Sequence, residues 1–194
     1  IMDKFSIDEV YGIHTLPGSP LGKFETNSNT VFAASDDFLI NITGNGGHGA
    51  YPEQTVDPVM IATQITQGIQ SITARNINAL KPVVISVTQI HTGTAYNIIP
   101  ETASINGTVR TLTEETQKLV KQRMTEICNG YSLAFKGKIE LIYNYGYPAT
   151  INYEKEAAFA IEVAEEISGK KNVDGNAKPD MGAEDFSFML HERP

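Results

Sequence analysis

The sequence has little cysteine and no concentration of basic charge. Cys128 is the one cysteine among 194 residues, so the chain cannot form an internal disulfide, which favours a reducing compartment such as the cytoplasm. Lys and Arg number 15 against 23 Asp and Glu, and the formal net charge is −8. Because no basic cluster interrupts this balance, neither a nucleic-acid surface nor an anionic membrane surface is expected. No apolar run is long enough to span a bilayer, and the first residues lack signal-peptide character.

The remaining composition is that of an ordinary globular chain. Apolar residues make up 41% and charged residues 20% of the sequence, without an internal repeat or a low-complexity tract. A chain of this length can bury a substantial core as one domain or as two small ones.

The most distinctive stretch is a glycine-rich run, Thr43–Pro52, with His48 at its centre. An alternating strand pattern at 36–43 precedes it, and Asp57 followed by Pro58 marks a helix start after it. We expect the glycines to adopt backbone angles that other residues avoid and to keep bulk away from the imidazole; they are Gly44, Gly46, Gly47 and Gly49. The run therefore predicts a histidine presented to a ligand, with a flexible turn and an incidental histidine as the alternative.

Regular periodicity extends from residue 35 to about residue 148. Strand patterns occupy 36–43, 82–90, 102–111 and 138–145. Helical patterns run from about 58 to 75 and again from near Thr113, whose hydroxyl can cap the first turn. The order β-α-β-β-α-β predicts a ferredoxin-like α+β sandwich, in which two helices cover one face of an antiparallel sheet.

The regions on either side of this unit are less regular. Val10, Tyr11 and Ile13 have the pattern of the end of a buried strand, which would place His14 at a strand end, where ligand-binding residues are common. A further helix is predicted at 154–168, and a polar, loop-like segment follows at 170–179.

Four stretches in this order resemble one family of enzymes: 11–17, 44–52, 97–100 followed by 107–111, and 182–187. Their residues and spacing are similar to those of the metal-dependent amidohydrolases of the aminoacylase and carboxypeptidase G group. The nearest branch contains hippurate hydrolases and enzymes that cleave indole-acetyl-amino acid conjugates. The resemblance implies an α/β architecture in which a ferredoxin-like lid is inserted into a zinc-peptidase-like catalytic domain.

On that template, residues 35–148 are the lid and dimerisation domain, and residues 1–34 and 149–194 are pieces of the catalytic domain. The resemblance also implies two divalent metal ions per full-length subunit: Zn, Mn, Ni or Co. The family's Cys and His in a Gly-His-Asp-Gly-His-type segment, its Glu-Glu pair and a later His have no counterpart here. We therefore expect this chain to be an internal part of an enzyme, inactive alone.

The family pattern assigns roles to four residues. His14 matches a metal ligand, and His48 matches a lid histidine that stabilises the tetrahedral intermediate in the partner subunit's active site. Asn97 and Arg110 match substrate-binding groups, since a guanidinium can hold a free α-carboxylate with two hydrogen bonds. Taken without the family, His14 could be structural, Asn97 a turn cap and Arg110 a solvated strand residue.

Several other polar residues receive no catalytic role. Glu53 stands where the family often has a second histidine. Glu184 and Asp185 form a carboxylate pair that could serve acid–base chemistry, but the family's catalytic carboxylates belong to the unmatched segments. His91 and His191 match no functional position.

Two functions of different class remain open. The first is a cytoplasmic, homodimeric metallo-amidohydrolase acting on N-acyl amino acids or small peptide-like conjugates. The second is a non-catalytic, ferredoxin-like module for dimerisation or small-molecule binding. An RNA-binding role is disfavoured by the net charge and by the lack of stacking aromatics on the predicted strands.

Overall fold

The computed structural model describes residues 2–194, which form two compact units. One unit is Ser35–Gly146, and the other joins the described residues up to Ala34 with Tyr147–Pro194. The strands are β1 Phe24–Glu25, β2 Thr30–Phe32, β3 Ala34–Thr43, β4 Gly47–His48, β5 Val83–Thr92, β6 Ile98–Ile99, β7 Thr102–Thr111, β8 Lys138–Tyr147, β9 Thr150–Ile151 and β10 Val173–Asp174. The α-helices are α1 Pro58–Arg75, α2 Glu114–Phe135, α3 Glu154–Ser168 and α4 Ser187–Glu192.

The unit Ser35–Gly146 is built on a four-stranded sheet with the strand order β5-β7-β3-β8. Strands β5 and β7 pair antiparallel from Val83 opposite Thr111 to Thr92 opposite Ala103, with a bulge between Val87 and Gln89. Helices α1 and α2 pack against each other and against this sheet. The chain order β3-α1-β5-β7-α2-β8 confirms the predicted β-α-β-β-α-β fold.

Both helices begin where the sequence indicates. The Asp57 carboxylate accepts the N–H groups of Val59 at 2.8 Å and Met60 at 3.4 Å, and Pro58 occupies the first turn of α1. The Thr113 hydroxyl accepts the N–H of Thr116 at 3.3 Å at the start of α2. These caps satisfy N–H groups that have no partner within the helix.

The core of this unit lies between the sheet and the two helices and is rich in isoleucine. It draws on alternate residues of β3 and β7, on one stripe of α1 and on one stripe of α2. The fully buried members are Phe38, Ile40, Ile42, Ile61, Ala62, Ile65, Ile69, Ile72, Ile105, Val109, Val120, Met124 and Cys128. Each large side chain contributes about 1.5–3 kcal/mol by leaving water.

A buried carboxylate, that of Asp36, joins several elements at one end of the sheet. Asp36 is 1% exposed. It accepts hydrogen bonds from Gln117 Nε2 at 2.9 Å to each oxygen, from the Tyr143 hydroxyl at 2.7 Å and from the Gly146 N–H at 3.2 Å. These donors belong to α2 and β8, so the carboxylate holds both against the start of β3.

Alkaline pH is expected to weaken this unit through Cys128. Burial raises the pKa of its thiol from 9.0 to about 11, and burial followed by the hydrogen bond to Asp36 raises the pKa of Tyr143. A raised pKa means that the folded state retains a proton which the unfolded state releases, so the stabilisation is complete below pH 9 and declines above it. Between pH 9 and pH 11, ionisation of this thiol in the unfolded state should lower the free energy of unfolding by about 2–3 kcal/mol.

Urea unfolding of the chain and of Cys128→Ala between pH 7 and pH 11 measures this loss. The free energy of unfolding should fall less steeply with pH in the variant than in the parent chain. Equal slopes would contradict a buried, protonated thiol.

The second unit consists of short paired segments around α3. β1 pairs parallel with β10, and β2 pairs antiparallel with β9. The predicted helix at 154–168 is observed with the same bounds. Part of the segment predicted to be loop forms a 3-10 turn, Lys170–Asn172, and strand β10.

The prediction of a buried strand end at Val10–Ile13 is wrong. No strand among the described residues pairs with this segment, and Tyr11 and Ile13 are exposed. Val10 donates one backbone hydrogen bond, to the Pro194 carbonyl at 2.8 Å. Alternation of apolar residues marks a potential strand, but a strand also needs a neighbour for its N–H and C=O groups.

Within residues 2–194, no helix combines the length and the apolar character needed to cross a membrane.

Candidate functional site

The glycine-rich run lies against the segment that contains Asn97. β4 and β6 pair antiparallel, with Gly47 opposite Ile99 and His48 opposite Ile98. The Gly49 N–H donates to the Asn97 carbonyl at 2.8 Å. Two of the predicted site residues, His48 and Asn97, are therefore neighbours in one exposed edge of this unit.

The glycines are needed for close packing and not for unusual backbone angles, which corrects the sequence-based expectation. None of the four has a positive φ. A Cβ at Gly44 would lie 2.0 Å from the Val56 carbonyl oxygen, one at Gly46 would lie 2.7 Å from that of Ile99, and one at Gly47 would lie 2.8 Å from Thr55 Cγ2. The run is thus held between two neighbouring segments, which argues against a flexible turn.

His48 occupies the first position of a tight turn and is exposed. The Tyr51 N–H donates to the His48 carbonyl at 2.9 Å, which closes the turn. The Ala50 N–H lies 3.1 Å from His48 Nδ1. The rings of His48 and Tyr51 are 5.6 Å apart between centroids, at an angle of 52°. The imidazole is therefore held on its Nδ1 side, while its Nε2 side makes no hydrogen bond among residues 2–194.

Asn97 is also exposed, and its side-chain amide has no hydrogen bond within the part of the chain that the structure describes. An amide that capped a turn would be bonded to nearby backbone. The Asn97 amide is thus available to bind a carbonyl or carboxylate oxygen.

An open cavity of about 940 Å³ lies beside the glycine-rich run. It is bounded by the end of β3, by 45–47, by the end of β5 with the connection after it, and by 98–104. Its ionisable lining residues are His91 and Glu101. Neither His48 nor Asn97 lines it, so the cavity adjoins the edge that carries them.

Arg110 lies away from this edge. It is eight residues along β7 from Thr102, a separation of about 27 Å at the rise of an antiparallel strand. Its guanidinium is half-buried and donates to the Ser35 hydroxyl and, at 3.4 Å, to the Val109 carbonyl. The structure therefore does not bring Arg110 together with His48 and Asn97 within one chain.

His14 is exposed in a segment without regular secondary structure. Its Nδ1 lies 2.7 Å from the Thr15 carbonyl oxygen, which can only accept, so Nδ1 carries the proton. Its Nε2 lies 3.5 Å from a carboxylate oxygen of Glu184. A histidine that donates from one ring nitrogen to a carbonyl is typical of metal ligands that bind through the other nitrogen.

The segment before His14 is fastened by polar and aromatic contacts. The Tyr11 hydroxyl donates to Glu9 at 2.9 Å, and Lys155 Nζ lies 3.1 Å from the same carboxylate. The hydrogen bond from Tyr11, followed by Lys155, lowers the pKa of Glu9. The ring of Tyr11 also lies 5.9 Å from that of Phe159. These contacts compensate in part for the missing strand pairing.

These residues do not make a complete metal site. Residues 2–194 contain no group of three or more His, Cys, Asp or Glu side chains arranged to hold an ion. His14 and Glu184 offer one nitrogen and one carboxylate, which is fewer than the three or four protein ligands of most zinc sites. Cys128 is buried on α2 and cannot supply a further ligand.

Sequence reasoning missed three features of these sites. The contact between Ser35 and Arg110 joins residues 75 positions apart, and the contact between His14 and Glu184 joins residues 170 positions apart. The third is the Ala50 N–H beside His48, a main-chain group with no side-chain signal. The spacing of the turn, two residues after the histidine, could have indicated this last contact.

Comparison with known proteins identifies the class. The peptidase dimerisation domain matches residues 35–134. Hippurate hydrolase of Campylobacter jejuni is 37% identical over 97% of this chain and 49% of its own length. An N-acetyldiaminopimelate deacetylase of Streptococcus suis is 34% identical over 96% of this chain and 50% of its own length. Thermostable carboxypeptidase 2 of Saccharolobus solfataricus is 36% identical over 97% of this chain and 47% of its own length.

Solved structures show the same fold. A protein assigned as an aminohydrolase from methicillin-resistant Staphylococcus aureus superposes with a TM-score of 0.90 at 23% identity, covering all of this chain and 50% of that one. The Bacillus subtilis YXEP protein, described as a dinuclear metal binding peptidase of the M20 family, superposes with a TM-score of 0.78 at 26% identity, covering 97% of this chain and 46% of that one.

The chain belongs to the M20 peptidase dimerisation-domain family, as its sequence motifs predict. It spans about half the length of the curated relatives it matches, and these relatives are named as hydrolases, carboxypeptidases and deacetylases. The family is one of enzymes that cleave amide bonds.

Proposed function

We propose that this chain is part of a homodimeric, metal-dependent amidohydrolase that releases amino acids from N-acyl amino acids or small peptide-like conjugates. The substrates named in the relatives, hippurate and N-acetyldiaminopimelate, are both N-acyl amino acids. We further propose the cytoplasm as its location, on the strength of its single cysteine.

The observation that carries this proposal is the presentation of His48. Its ring is exposed, its Nδ1 is occupied by the Ala50 N–H, and its Nε2 is directed away from that contact. A fixed donor of this kind suits the oxyanion that develops when an amide carbonyl is attacked. We assign His48 to that role and Asn97 to binding the same substrate.

Arg110 is assigned to the α-carboxylate of the substrate. Because about 27 Å of strand separates it from the edge with His48, both can bind one small substrate only if they come from different chains. A dimer in which His48 and Asn97 of one subunit complete the site of the other satisfies this condition. The family's dimerisation domain supports it.

We propose His14 as a ligand of one of two divalent metal ions, as its Nδ1 contact with the Thr15 carbonyl suggests. The dinuclear metal binding of the Bacillus subtilis relative supports this assignment. Since the described residues do not supply a complete ligand set, the remaining ligands would come from other parts of the full-length protein.

The domain assignment follows from the same proposal. Residues 35–148 would be the lid and dimerisation domain, and residues 1–34 and 149–194 would belong to the catalytic domain. The compact unit Ser35–Gly146 and the family match at 35–134 support the position of the lid.

A non-catalytic dimerisation or small-molecule-binding module is the second candidate. The lack of a three-ligand metal cluster among residues 2–194 favours it for this chain on its own. The cavity beside the glycine-rich run would be its binding site.

Hydrolysis assays on the full-length protein separate the two candidates. With hippurate and N-acetylated amino acids as substrates, we expect amino-acid release that stops on chelation and returns with Zn²⁺, Mn²⁺, Ni²⁺ or Co²⁺. The matched substrate control is the amide of each N-acyl amino acid, which lacks the α-carboxylate. Cleavage that is unaffected by chelation, or no cleavage of any N-acyl amino acid, would contradict the proposal.

A further inference from the structure

The turn at His48–Tyr51 has the geometry of an Asx turn in which an imidazole replaces the carboxamide. In an Asx turn, the side-chain oxygen of the first residue accepts the N–H two residues later. Nδ1 of histidine is the same number of bonds from the backbone as Oδ1 of asparagine. Here, Nδ1 of His48 lies 3.1 Å from the N–H of Ala50, and the turn is closed by Tyr51 N–H to His48 carbonyl at 2.9 Å.

This contact constrains the position of the ring proton. A main-chain N–H can only donate, so the nitrogen that faces it must accept. In a neutral imidazole one ring nitrogen is a donor and the other an acceptor, and the partner of one nitrogen sets the state of the other. With Nδ1 as acceptor, Nε2 carries the proton.

The opposite contact is present at His14. There, Nδ1 faces the Thr15 carbonyl at 2.7 Å and must donate, while Nε2 lies 3.5 Å from a carboxylate oxygen of Glu184, a second acceptor. Main-chain groups of opposite polarity therefore give Nδ1 opposite roles in the two histidines: a donor in His14 and an acceptor in His48.

We propose that the Ala50 N–H is a positioning group that selects the Nε2-protonated tautomer of His48, so that the exposed edge of the ring is a hydrogen-bond donor. The purpose of that donor rests on the proposed hydrolytic function, whereas the selection of the tautomer does not. A neutral hydrogen bond of ordinary strength shifts the tautomer ratio by about 2- to 10-fold.

The tautomer is measured by ¹⁵N NMR of the imidazole nitrogens in the 194-residue chain. The sequence contains four histidines, and His48→Asn assigns the signals of His48 by their loss. In the folded chain we expect Nε2 of His48 to be of the protonated type and Nδ1 of the unprotonated type. The ratio of the Nε2-protonated to the Nδ1-protonated tautomer should be about 2- to 10-fold higher in the folded chain than for the same residue in urea. An unchanged ratio, or a proton on Nδ1, would overturn the proposal.

Two substitutions at Ala50 test its N–H directly. Ala50→Pro removes the donor, and Ala50→Gly keeps it as the matched control. The tautomer ratio of His48 should return towards its value in urea in Ala50→Pro and stay unchanged in Ala50→Gly. Equal ratios in both folded variants would contradict the role of the N–H. If Ala50→Pro does not fold, the comparison of the folded and unfolded parent chain still decides the question.

Activity provides a separate readout in the full-length protein. Ala50→Pro should lower kcat by up to about twofold with little change in KM, because a tautomer ratio that falls from about 10 to about 1 lowers the donor fraction by less than half. Substitutions of His48 itself add a second comparison. Asn keeps an acceptor at the position of Nδ1, and Gln keeps a donor near the position of Nε2. His48→Gln should retain more activity than His48→Asn. If no substrate is hydrolysed by the parent protein, the proposed function fails while the NMR result still stands.

Discussion

Replacing His48 with alanine in the full-length protein is expected to lower kcat for amide hydrolysis by about 10²- to 10³-fold. The reason is the loss of a fixed donor at the developing oxyanion, a group that acts in the transition state more than in the bound substrate. The side chain is exposed, and among residues 2–194 its one hydrogen bond is with the Ala50 N–H, so the fold should be retained. Steady-state kinetics with an N-acyl amino acid and thermal unfolding of the same samples measure both effects.

His91→Ala is the matched control for this experiment. His91 is another exposed imidazole of the same unit, and it lies in the cavity lining and not in the turn. The His91→Ala substitution should leave kcat within about twofold of the parent value, because His91 is assigned no contact with the reacting group. A His48→Ala enzyme that stays within threefold of the parent would remove the main support for the mechanism.

The largest effect on stability is expected from Gly107→Ala in β7. A Cβ at this position would lie 2.2 Å from the Ser86 carbonyl oxygen and 2.3 Å from Phe38 Cζ. The first atom is backbone of the neighbouring strand, and the second belongs to a ring that is 2% exposed, so neither can move without disturbing the core. Overpacking of this kind costs about 3 kcal/mol, or about 10 °C in Tm for a unit of this size.

Gly130→Ala provides the control for the added methyl group. Gly130 lies in α2, and a Cβ there would meet nothing within 4 Å. Because alanine favours a helix over glycine by about 1 kcal/mol, this variant should be as stable as the parent or slightly more so. Equal Tm values for Gly107→Ala and Gly130→Ala would contradict the close approach of β5, β7 and Phe38.

The parts of the fold that could be predicted from the sequence are those set by local chemistry. The Asp57–Pro58 and Thr113 signals fixed where α1 and α2 begin, because capping depends on a few adjacent residues. The helical pattern from about 58 to 75 likewise indicated α1, which is observed at Pro58–Arg75. The antiparallel sheet covered by two helices also followed, since the order β-α-β-β-α-β is typical of a ferredoxin-like sandwich.

The parts that could not be predicted depend on remote partners. The apolar alternation before His14 predicted a strand, but no neighbouring strand pairs with it in the described chain. The sequence showed that the run is rich in glycine, but the reason that glycine is needed there could not be predicted. That reason is close contact with Val56 and Ile99, which lie outside the run. The roles of His14, His48, Asn97 and Arg110 remain proposals. The separation of Arg110 from His48 emerges only once the pairing of β4 with β6 places His48 opposite Ile98, at the other end of β7.

The separation of Arg110 from His48 leads to the most direct test of the shared active site. In full-length protein, His48→Ala and Arg110→Ala homodimers should each be nearly inactive. After equal amounts are mixed and allowed to exchange subunits, half of the dimers are mixed. In a mixed dimer, one site combines the intact Arg110 of one subunit with the intact His48 of the other, whereas the second site lacks both.

The measurement is the hydrolysis rate of the exchanged mixture. If His48 completes the partner's site, activity should return to about a quarter of the parent value, because half of the dimers have one intact site out of two. A mixture of unexchanged homodimers is the control and should remain inactive. If subunit exchange is shown to be complete and activity does not return, His48 and Arg110 do not act on one substrate from different chains, and the proposed site is contradicted.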